Sequence, residues 1–98
     1  MKLYEILIPV ADNEKRVFSR IHRKVWEKVV RDTAGGLSTC APVDGQWVDG
    51  GKVYSERMQP VRIACSAPKI RKLAEFAKGH FRQLSIMYYP VSPEVRFL

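Results

Sequence analysis

The stretch that says most about the fold lies in the middle of the chain: Gly45-Gln46-Trp47-Val48-Asp49-Gly50-Gly51-Lys52-Val53-Tyr54-Ser55-Glu56. Its centre, Asp49–Gly51, consists of residues that tolerate the positive φ angles of a tight hairpin turn. Trp47-Val48 precede this turn and Val53-Tyr54 follow it, and aromatic and β-branched residues favour strands. The stretch therefore predicts a β-hairpin.

A strand and a helix are predicted before the hairpin. The strand, Leu3–Val10, is apolar on nearly both faces, which is typical of a central strand. From Lys15 to Asp32 the apolar spacing becomes helical. The predicted buried stripe consists of Phe18, Ile21, Val25 and Val29, widened by Val17, Trp26 and Val30.

Three strands and a second helix complete the pattern. The second strand, Leu37–Val48, is interrupted by a predicted bend or bulge at Pro42–Gly45. Pro60 predicts a kink or an edge position for the third strand, Lys52–Cys65. Ser66 and Pro68 favour a helix start. The predicted buried stripe of this helix is Ile70, Leu73, Ala74, Ala77 and Phe81. A last strand, Leu84–Tyr89, and a short terminal strand, Val95–Leu98, follow.

The resulting order, βαββαβ, predicts an α+β fold: a ferredoxin-like sandwich with one antiparallel four-stranded sheet and both helices on one face. The 98 residues form one domain, 1–98. The sheet face without helices is predicted to be apolar, and such faces usually meet another molecule. We expect a homo-oligomer, a dimer or trimer, and the alternative is a flat ligand or nucleobase. The predicted oligomer face comprises Leu3, Leu7, Met87 and Tyr89. Trp47 is either a core anchor, which we favour, or a ligand contact.

The net charge of +7 favours an anionic partner, either an acidic protein, a small anionic ligand or nucleic acid. Much of this charge lies on the first helix. The predicted partner-binding residues are Arg16, Arg20, Arg23, Lys24 and Arg31. The alternative is a solvated outer face, which is common on exposed helices.

Composition bounds the location of the protein. No apolar run approaches the ~20 residues that cross a bilayer, so no membrane association is expected. The N-terminus lacks the features of a signal peptide. Cys40 and Cys65 lack the Cys-x-x-Cys spacing of a redox motif, which favours a reduced, cytoplasmic protein.

Motifs for chemistry are few. His22 and His80 are far apart in sequence and each lies within a helix, so no metal site is predicted. Nucleotide-binding glycine loops are absent, and no cofactor is predicted. Tyr54 and Glu56 point to the same face of a strand and could converge on a ligand, although an ion pair between Glu56 and a nearby arginine, Arg57 or Arg62, is the alternative. The fold also allows single-stranded RNA binding, but the aromatic third-strand signature of RNA-recognition domains is missing from residues 52–65.

The hairpin motif, Gly45-x-Trp47-x-Asp49 with its glycine turn, Val53 and Glu56, resembles a family of small uncharacterised bacterial and phage proteins. The chain's ending, Ser92-Pro93-x-Val95-x-Phe97, is similar as well. Many bacterial members look exported, whereas the start of this sequence predicts no leader. The resemblance therefore favours the phage-type relatives and the host cytoplasm.

A second resemblance is to phage S-adenosylmethionine lyases, which are small oligomeric α+β proteins with the active site between subunits. The similar residues are Gly36-Leu37, Tyr54, Glu56 and Val61–Cys65. The resemblance implies that Glu56, with Tyr54, is catalytic: a glutamate would act as base or would orient the substrate's carboxylate as it displaces the sulfonium.

Our leading hypothesis is a non-catalytic, phage-encoded accessory protein that self-associates and binds an acidic protein or other anionic partner. The alternatives are an S-adenosylmethionine lyase and a single-stranded RNA-binding domain.

Overall fold

A computed structural model describes all residues, 1–98, and places two helices on one face of an antiparallel sheet. The elements are β1 (Lys2–Pro9), α1 (Arg20–Ala34), β2 (Ser38–Thr39), β3 (Val43–Asp49), β4 (Lys52–Cys65), α2 (Ala67–His80) and β5 (Tyr88–Ser92). The strand order is β2-β4-β1-β5, and β3 also pairs with β4. The α+β ferredoxin-like fold is confirmed. The sheet has five strands rather than the predicted four, because the predicted second strand is divided into β2 and β3. Neither helix has the length and apolar character needed to cross a membrane.

The core lies between the helices and the sheet. On β1, alternate residues point toward the helices, and they lie opposite alternate residues of β4 in the antiparallel register. The buried residues of this layer are Tyr4, Ile6, Ile8, Val61, Ile63 and Cys65. The predicted stripe of α2 is confirmed, because all five of its residues are buried.

The long strand β4 is central, so the edge position given as one of two alternatives for it was wrong. It pairs with β1 on one side and with β2 and β3 on the other. The carbonyl of Pro60 accepts a hydrogen bond from the Cys40 backbone N–H at 2.9 Å, on the β2–β3 side. The N–H that proline lacks would point to this same side. This position lies opposite the break between β2 and β3. No strand is paired there, so the missing N–H costs no hydrogen bond of the sheet.

That break also divides the predicted second strand. Residues 38–39 pair with β4 at Arg62 and Val61, and pairing resumes at Val43 opposite Met58. The bend expected around Pro42 is therefore a complete interruption. It separates β4 into a half that covers the core and a half that pairs only with β3.

Helix α1 begins at Arg20, five residues later than predicted. The Asp12 carboxylate accepts backbone N–H bonds from Glu14 and Arg16, both at 2.9 Å, and stabilises a turn where the helix was expected. Ser19 is the actual N-cap, because its hydroxyl accepts from the His22 N–H at 3.1 Å.

The predicted buried stripe of α1 was only partly right. Phe18 and Val29 are half-buried and pack against the core. Trp26 and Val30 are the buried residues of this helix, while Ile21 is 76% exposed and Val25 is 45% exposed. Val17, just before the helix, is exposed as well. The helix is thus rotated by about one residue from the predicted phase, which leaves an apolar stripe on its outer face.

The last strand also differs from its prediction. It spans Tyr88–Ser92 rather than residues 84–89, and Leu84 is 96% exposed. Pro90 is tolerated because β5 is an edge strand, and its register with β1 shifts between Leu3 and Tyr4. Residues 95–98 form no strand.

A contact between two histidines, His22 and His80, joins the helices. It was not predicted, because the two residues are far apart in the sequence. The imidazole rings of His22 and His80 stack with centroids 3.7 Å apart. The Nε2 of each ring donates to the backbone carbonyl of the other residue at 2.7 Å, since a carbonyl can only accept. Phe18 and Phe81 pack against the pair. These contacts connect the start of α1 to the end of α2.

Candidate functional site

The β3–β4 hairpin extends beyond the rest of the sheet as a two-stranded arm. Pairing with β1 ends at Pro9 opposite Met58, and the strands continue together to Asp49 opposite Lys52. At its tip, Gly50 and Gly51 have φ angles of +58° and +76°, as the glycine turn predicted. The arm therefore presents side chains that the core does not cover.

One face of this arm carries stacked aromatic rings. Trp47 lies directly opposite Tyr54, with ring centroids 5.7 Å apart and planes within 14° of parallel. The Lys52 ammonium lies 5.3 Å from the centroid of the Tyr54 ring. Trp47 is 47% exposed, so the core-anchor interpretation was wrong, and the core tryptophan is Trp26.

Beside the rings, Glu56 lies opposite Gly45. A side chain at Gly45 would contact the Glu56 carbonyl, so glycine leaves the surface beside Glu56 uncovered. The carboxylate of Glu56 is in no ion pair, and the pairing expected for it was wrong. Arg57 lies 3.8 Å from the Asp44 carboxylate instead, and Arg62 bonds Glu5.

Partial burial without a compensating cation raises the pKa of Glu56. The structure thus brings Tyr54 and Glu56 onto one face together with Trp47. A carboxylate next to aromatic rings suits a cationic ligand.

A second polar group lies at the centre of the open sheet face, and sequence reasoning missed it. The Arg62 Nε donates to the Glu5 carboxylate at 3.1 Å, and the Tyr89 hydroxyl donates to its other oxygen. The Glu5 side chain is only 13% exposed. The hydrogen bond from Tyr89, and then the Arg62 guanidinium, lowers the pKa of Glu5 although burial opposes it.

This Glu5–Arg62–Tyr89 cluster is set among apolar side chains. Leu3 and Leu7 are half-buried on the same face of β1, and the backbone N–H of Leu7 bonds the Met87 carbonyl at 3.0 Å. Leu3, Leu7 and Tyr89 therefore lie on one surface, with Met87 beside Leu7 in the backbone. Whether the four residues contact another subunit stays a prediction.

A cavity of about 300 Å³ lies between the first half of α1 and the sheet. Three of the five predicted partner-binding residues, Arg20, Arg23 and Lys24, line it. None of these three forms an ion pair within the chain, whereas Arg16 pairs with Asp12 and Glu14. The remaining lining residues are Ile8, Trp26, Glu27, Thr39, Gln59 and Val61.

Arg31 does not belong to this group. It lies in the last turn of α1, eight residues beyond Arg23, or about 12 Å along the helix axis. The predicted partner-binding set is thus divided by the structure into three residues at one cavity, one in the preceding loop and one at the far end of the helix.

The fold, but not the sequence, is similar to known proteins. No protein-family model matches the sequence, and no curated protein matches it at significant similarity. Among solved structures, a periplasmic divalent cation tolerance protein CutA from Archaeoglobus fulgidus matches 99% of this chain and 86% of its own, with a TM-score of 0.69 and 13% identity. The divalent cation tolerance protein CutA1 from Thermus thermophilus matches 97% and 86%, with a TM-score of 0.67 and 14% identity.

A phage S-adenosylmethionine lyase in complex with S-methyl-5′-thioadenosine is also similar. It matches 97% of this chain and 92% of its own, with a TM-score of 0.63 and 15% identity. At these identities the likeness shows a shared fold, and function has to be argued from this chain's own residues.

The Glu5 cluster generates a stability prediction. Glu5→Gln should lower the free energy of unfolding by about 1 to 3 kcal/mol at pH 7, because a charge-assisted hydrogen bond is lost. The lowered pKa makes the contribution of Glu5 present above the ordinary carboxyl pKa, and it is lost as pH falls through the folded value. Urea unfolding should therefore show the difference shrinking below about pH 4.

The control is Glu75→Gln, which removes an exposed pair with Arg71 on α2. Its effect should stay within about 0.5 kcal/mol at every pH. Equal losses in the two variants would show that the Glu5 cluster is no more than a surface ion pair.

Proposed function

We propose that this protein is a non-catalytic, homo-oligomeric binding protein that engages an anionic partner through the start of α1. The observation that carries the proposal is the group of three cations, Arg20, Arg23 and Lys24, which line one cavity and form no ion pair within the chain. Side chains held together without partners repel each other, and an anion relieves that repulsion. The first turn of α1 contains no acidic residue.

The outer face of α1 adds apolar surface beside these charges. Ile21 and Val25 are exposed and lie four residues apart on the helix, and Val17 is exposed just before it. Exposed apolar side chains next to unpaired cations favour an acidic protein over a simple polyanion. A cytoplasmic location and phage origin remain predictions in keeping with this function.

Self-association is proposed through the open sheet face. Leu3 and Leu7 flank Glu5 on this face of β1, and Met87 lies beside Leu7 through a backbone hydrogen bond. An apolar sheet face of this kind commonly meets a second copy of the chain. An oligomer built on this face keeps the helices on the outside, so the cations of α1 stay accessible.

The oligomer is tested by native mass spectrometry. The unmodified protein should appear at a multiple of 11.3 kDa, and Leu7→Arg should shift it to the single-chain mass by placing a charge in the interface. Ile21→Arg makes the same change on the helical side and should leave the oligomer intact. A monomeric unmodified protein contradicts this part of the proposal.

Partner binding is tested with two anionic probes, a fluorescent polyglutamate peptide and a single-stranded oligonucleotide. Binding of polyglutamate should weaken with salt, and the triple variant R20E/R23E/K24E should reduce it at least tenfold. The matched control is K69E/R71E/K72E, which makes the same charge change on the exposed face of α2 and should retain more than half of the binding. Preference for the oligonucleotide would assign a nucleic-acid partner instead, and no binding to either probe would contradict the function.

An S-adenosylmethionine lyase is the second candidate, and the unpaired Glu56 beside Trp47 and Tyr54 favours it. These side chains suit a sulfonium cation, and a phage lyase shares the fold. Even-numbered residues of β4 share one face, so Glu56 and Tyr54 are continuous with the proposed oligomer face. A neighbouring subunit there would enclose Glu56.

In this candidate, the substrate's carboxylate oxygen forms a bond to its own γ-carbon as the carbon–sulfur bond breaks. The electron pair goes to sulfur, which yields neutral S-methyl-5′-thioadenosine and homoserine lactone. No proton is transferred in this step. Glu56 would therefore act as an anion that holds the cationic substrate in the bent conformation required for attack.

This candidate predicts that the unmodified protein releases S-methyl-5′-thioadenosine from S-adenosylmethionine, measured by chromatography. Glu56→Gln should reduce the rate about 100-fold or more. The substitution should not lower the melting temperature. Partial burial raises the pKa of Glu56, so its ionised carboxylate destabilises the fold once the pH rises through the pKa of the folded state. Glu75→Gln is the activity control, and no product from the unmodified protein ends the candidate.

A further inference from the structure

The cavity beneath the first half of α1 is lined by charged, polar and apolar side chains that come from different elements. Arg20, Arg23 and Lys24 contribute positive charge from the helix, while Thr39 and Gln59 contribute polar groups from β2 and β4. The apolar lining comes from Ile8, Trp26 and Val61. A volume of about 300 Å³ lies at the lower end of the range for small-molecule sites. The cavity therefore combines a cationic rim with a small apolar floor.

The lining of this cavity carries an excess of positive charge at the start of α1. The backbone N–H groups at the start of a helix carry partial positive charge, so cationic side chains are unfavourable there. Arg20 and Arg23 nevertheless lie in the first turn, and Lys24 follows them. The one carboxylate in the lining is Glu27, and it is in no ion pair with any of the three. The net charge of the lining is +2, from three cations and one anion.

A second observation comes from Trp26. The side chain is 1% exposed, and its indole Nε1 is buried without any hydrogen-bond partner. It is the one buried side-chain nitrogen or oxygen of the whole chain in this state. A buried donor without an acceptor is costly, and native proteins usually supply a water or ligand oxygen. Trp26 is also one of the residues that line the cavity.

We propose that this cavity binds a small phosphate-bearing molecule, with Arg20, Arg23 and Lys24 around the phosphate and the Trp26 indole N–H donating to it directly or through a water. The tetrahedral phosphate offers several acceptor oxygens to donors that converge from different directions. Arginine in particular pairs with phosphate in a bidentate manner. The apolar floor accommodates a non-polar group attached to the phosphate. This inference rests on the anion-binding role proposed for the same three cations, and it adds a small phosphate ligand to the acidic protein proposed above.

The test is a titration followed by ¹H–¹⁵N NMR on the full chain, with inorganic phosphate and phenyl phosphate as probes. The protein has two tryptophans, so two indole N–H signals are expected, and Trp47→Phe identifies that of Trp26. The ionic strength is held constant with chloride. The Trp26 indole signal should move saturably with both probes, and phenyl phosphate should bind about tenfold more tightly. The Trp47 signal should stay in place.

Arg23→Gln should weaken phosphate binding at least tenfold, while Arg31→Gln, which removes the same charge from the other end of the helix, should change it less than twofold. No saturable movement of the Trp26 signal, or equal weakening by the two substitutions, would overturn the inference. In a third outcome, neither phosphate probe binds, but polyglutamate binds and R20E/R23E/K24E abolishes that binding. This result would overturn the phosphate inference and leave the proposed function in place. Failure of the phosphate probes and of polyglutamate alike removes both.

Discussion

The structure depends on one continuous strand, β4, whose 14 residues are hydrogen-bonded to β1, β2 and β3. Its second half carries Val61, Ile63 and Cys65 into the core, and its first half leaves the core to form the arm. A strand of this length with a proline near its middle would ordinarily lose ladder bonds. Here the neighbouring strand is interrupted where Pro60 lacks its N–H, and pairing with β1 continues on the other side. Pro60 can therefore occupy this central strand only because the neighbouring chain is divided there into β2 and β3.

The elements that could be predicted from the sequence are those fixed by contacts between residues close together in the chain. Helix α2 was predicted correctly because its signals are local: a proline in its first turn and apolar residues at helical spacing before Phe81. Helix α1 was misplaced because the Asp12 turn competes with the helix start. Its core-facing side carries the buried Trp26 and Val30 next to the half-buried His22. Hydrophobic periodicity alone gave more weight to Ile21 and Val25. The last strand was misplaced because apolar alternation from Leu84 to Tyr89 is satisfied locally, whereas pairing with β1 begins only at Tyr88.

The same distinction holds for the candidate sites. Tyr54 and Glu56 are two residues apart on one strand, so their common face followed from the period of two. The Glu5–Arg62 and Glu5–Tyr89 bonds join residues 57 and 84 positions apart, and the histidine pair joins residues 58 apart. Such contacts come from strand register and helix docking, which no short motif records. The basic residues of α1 were visible as a charged face, but the cavity that groups Arg20, Arg23 and Lys24 requires the sheet beneath them.

Two chemically opposite surfaces result from this arrangement. The helical side presents unpaired cations over a cavity, and the sheet side presents an unpaired carboxylate, Glu56, next to aromatic rings. Because the helices cover only one face of the sheet, self-association through the other face would bury the carboxylate side and leave the cationic side open. A ligand of the cations could then enter or leave an assembled oligomer, whereas a ligand of Glu56 would be enclosed between subunits. Anion binding and any lyase chemistry would thus be separated by the sheet itself, so that the cations of α1 can be altered without touching Glu56.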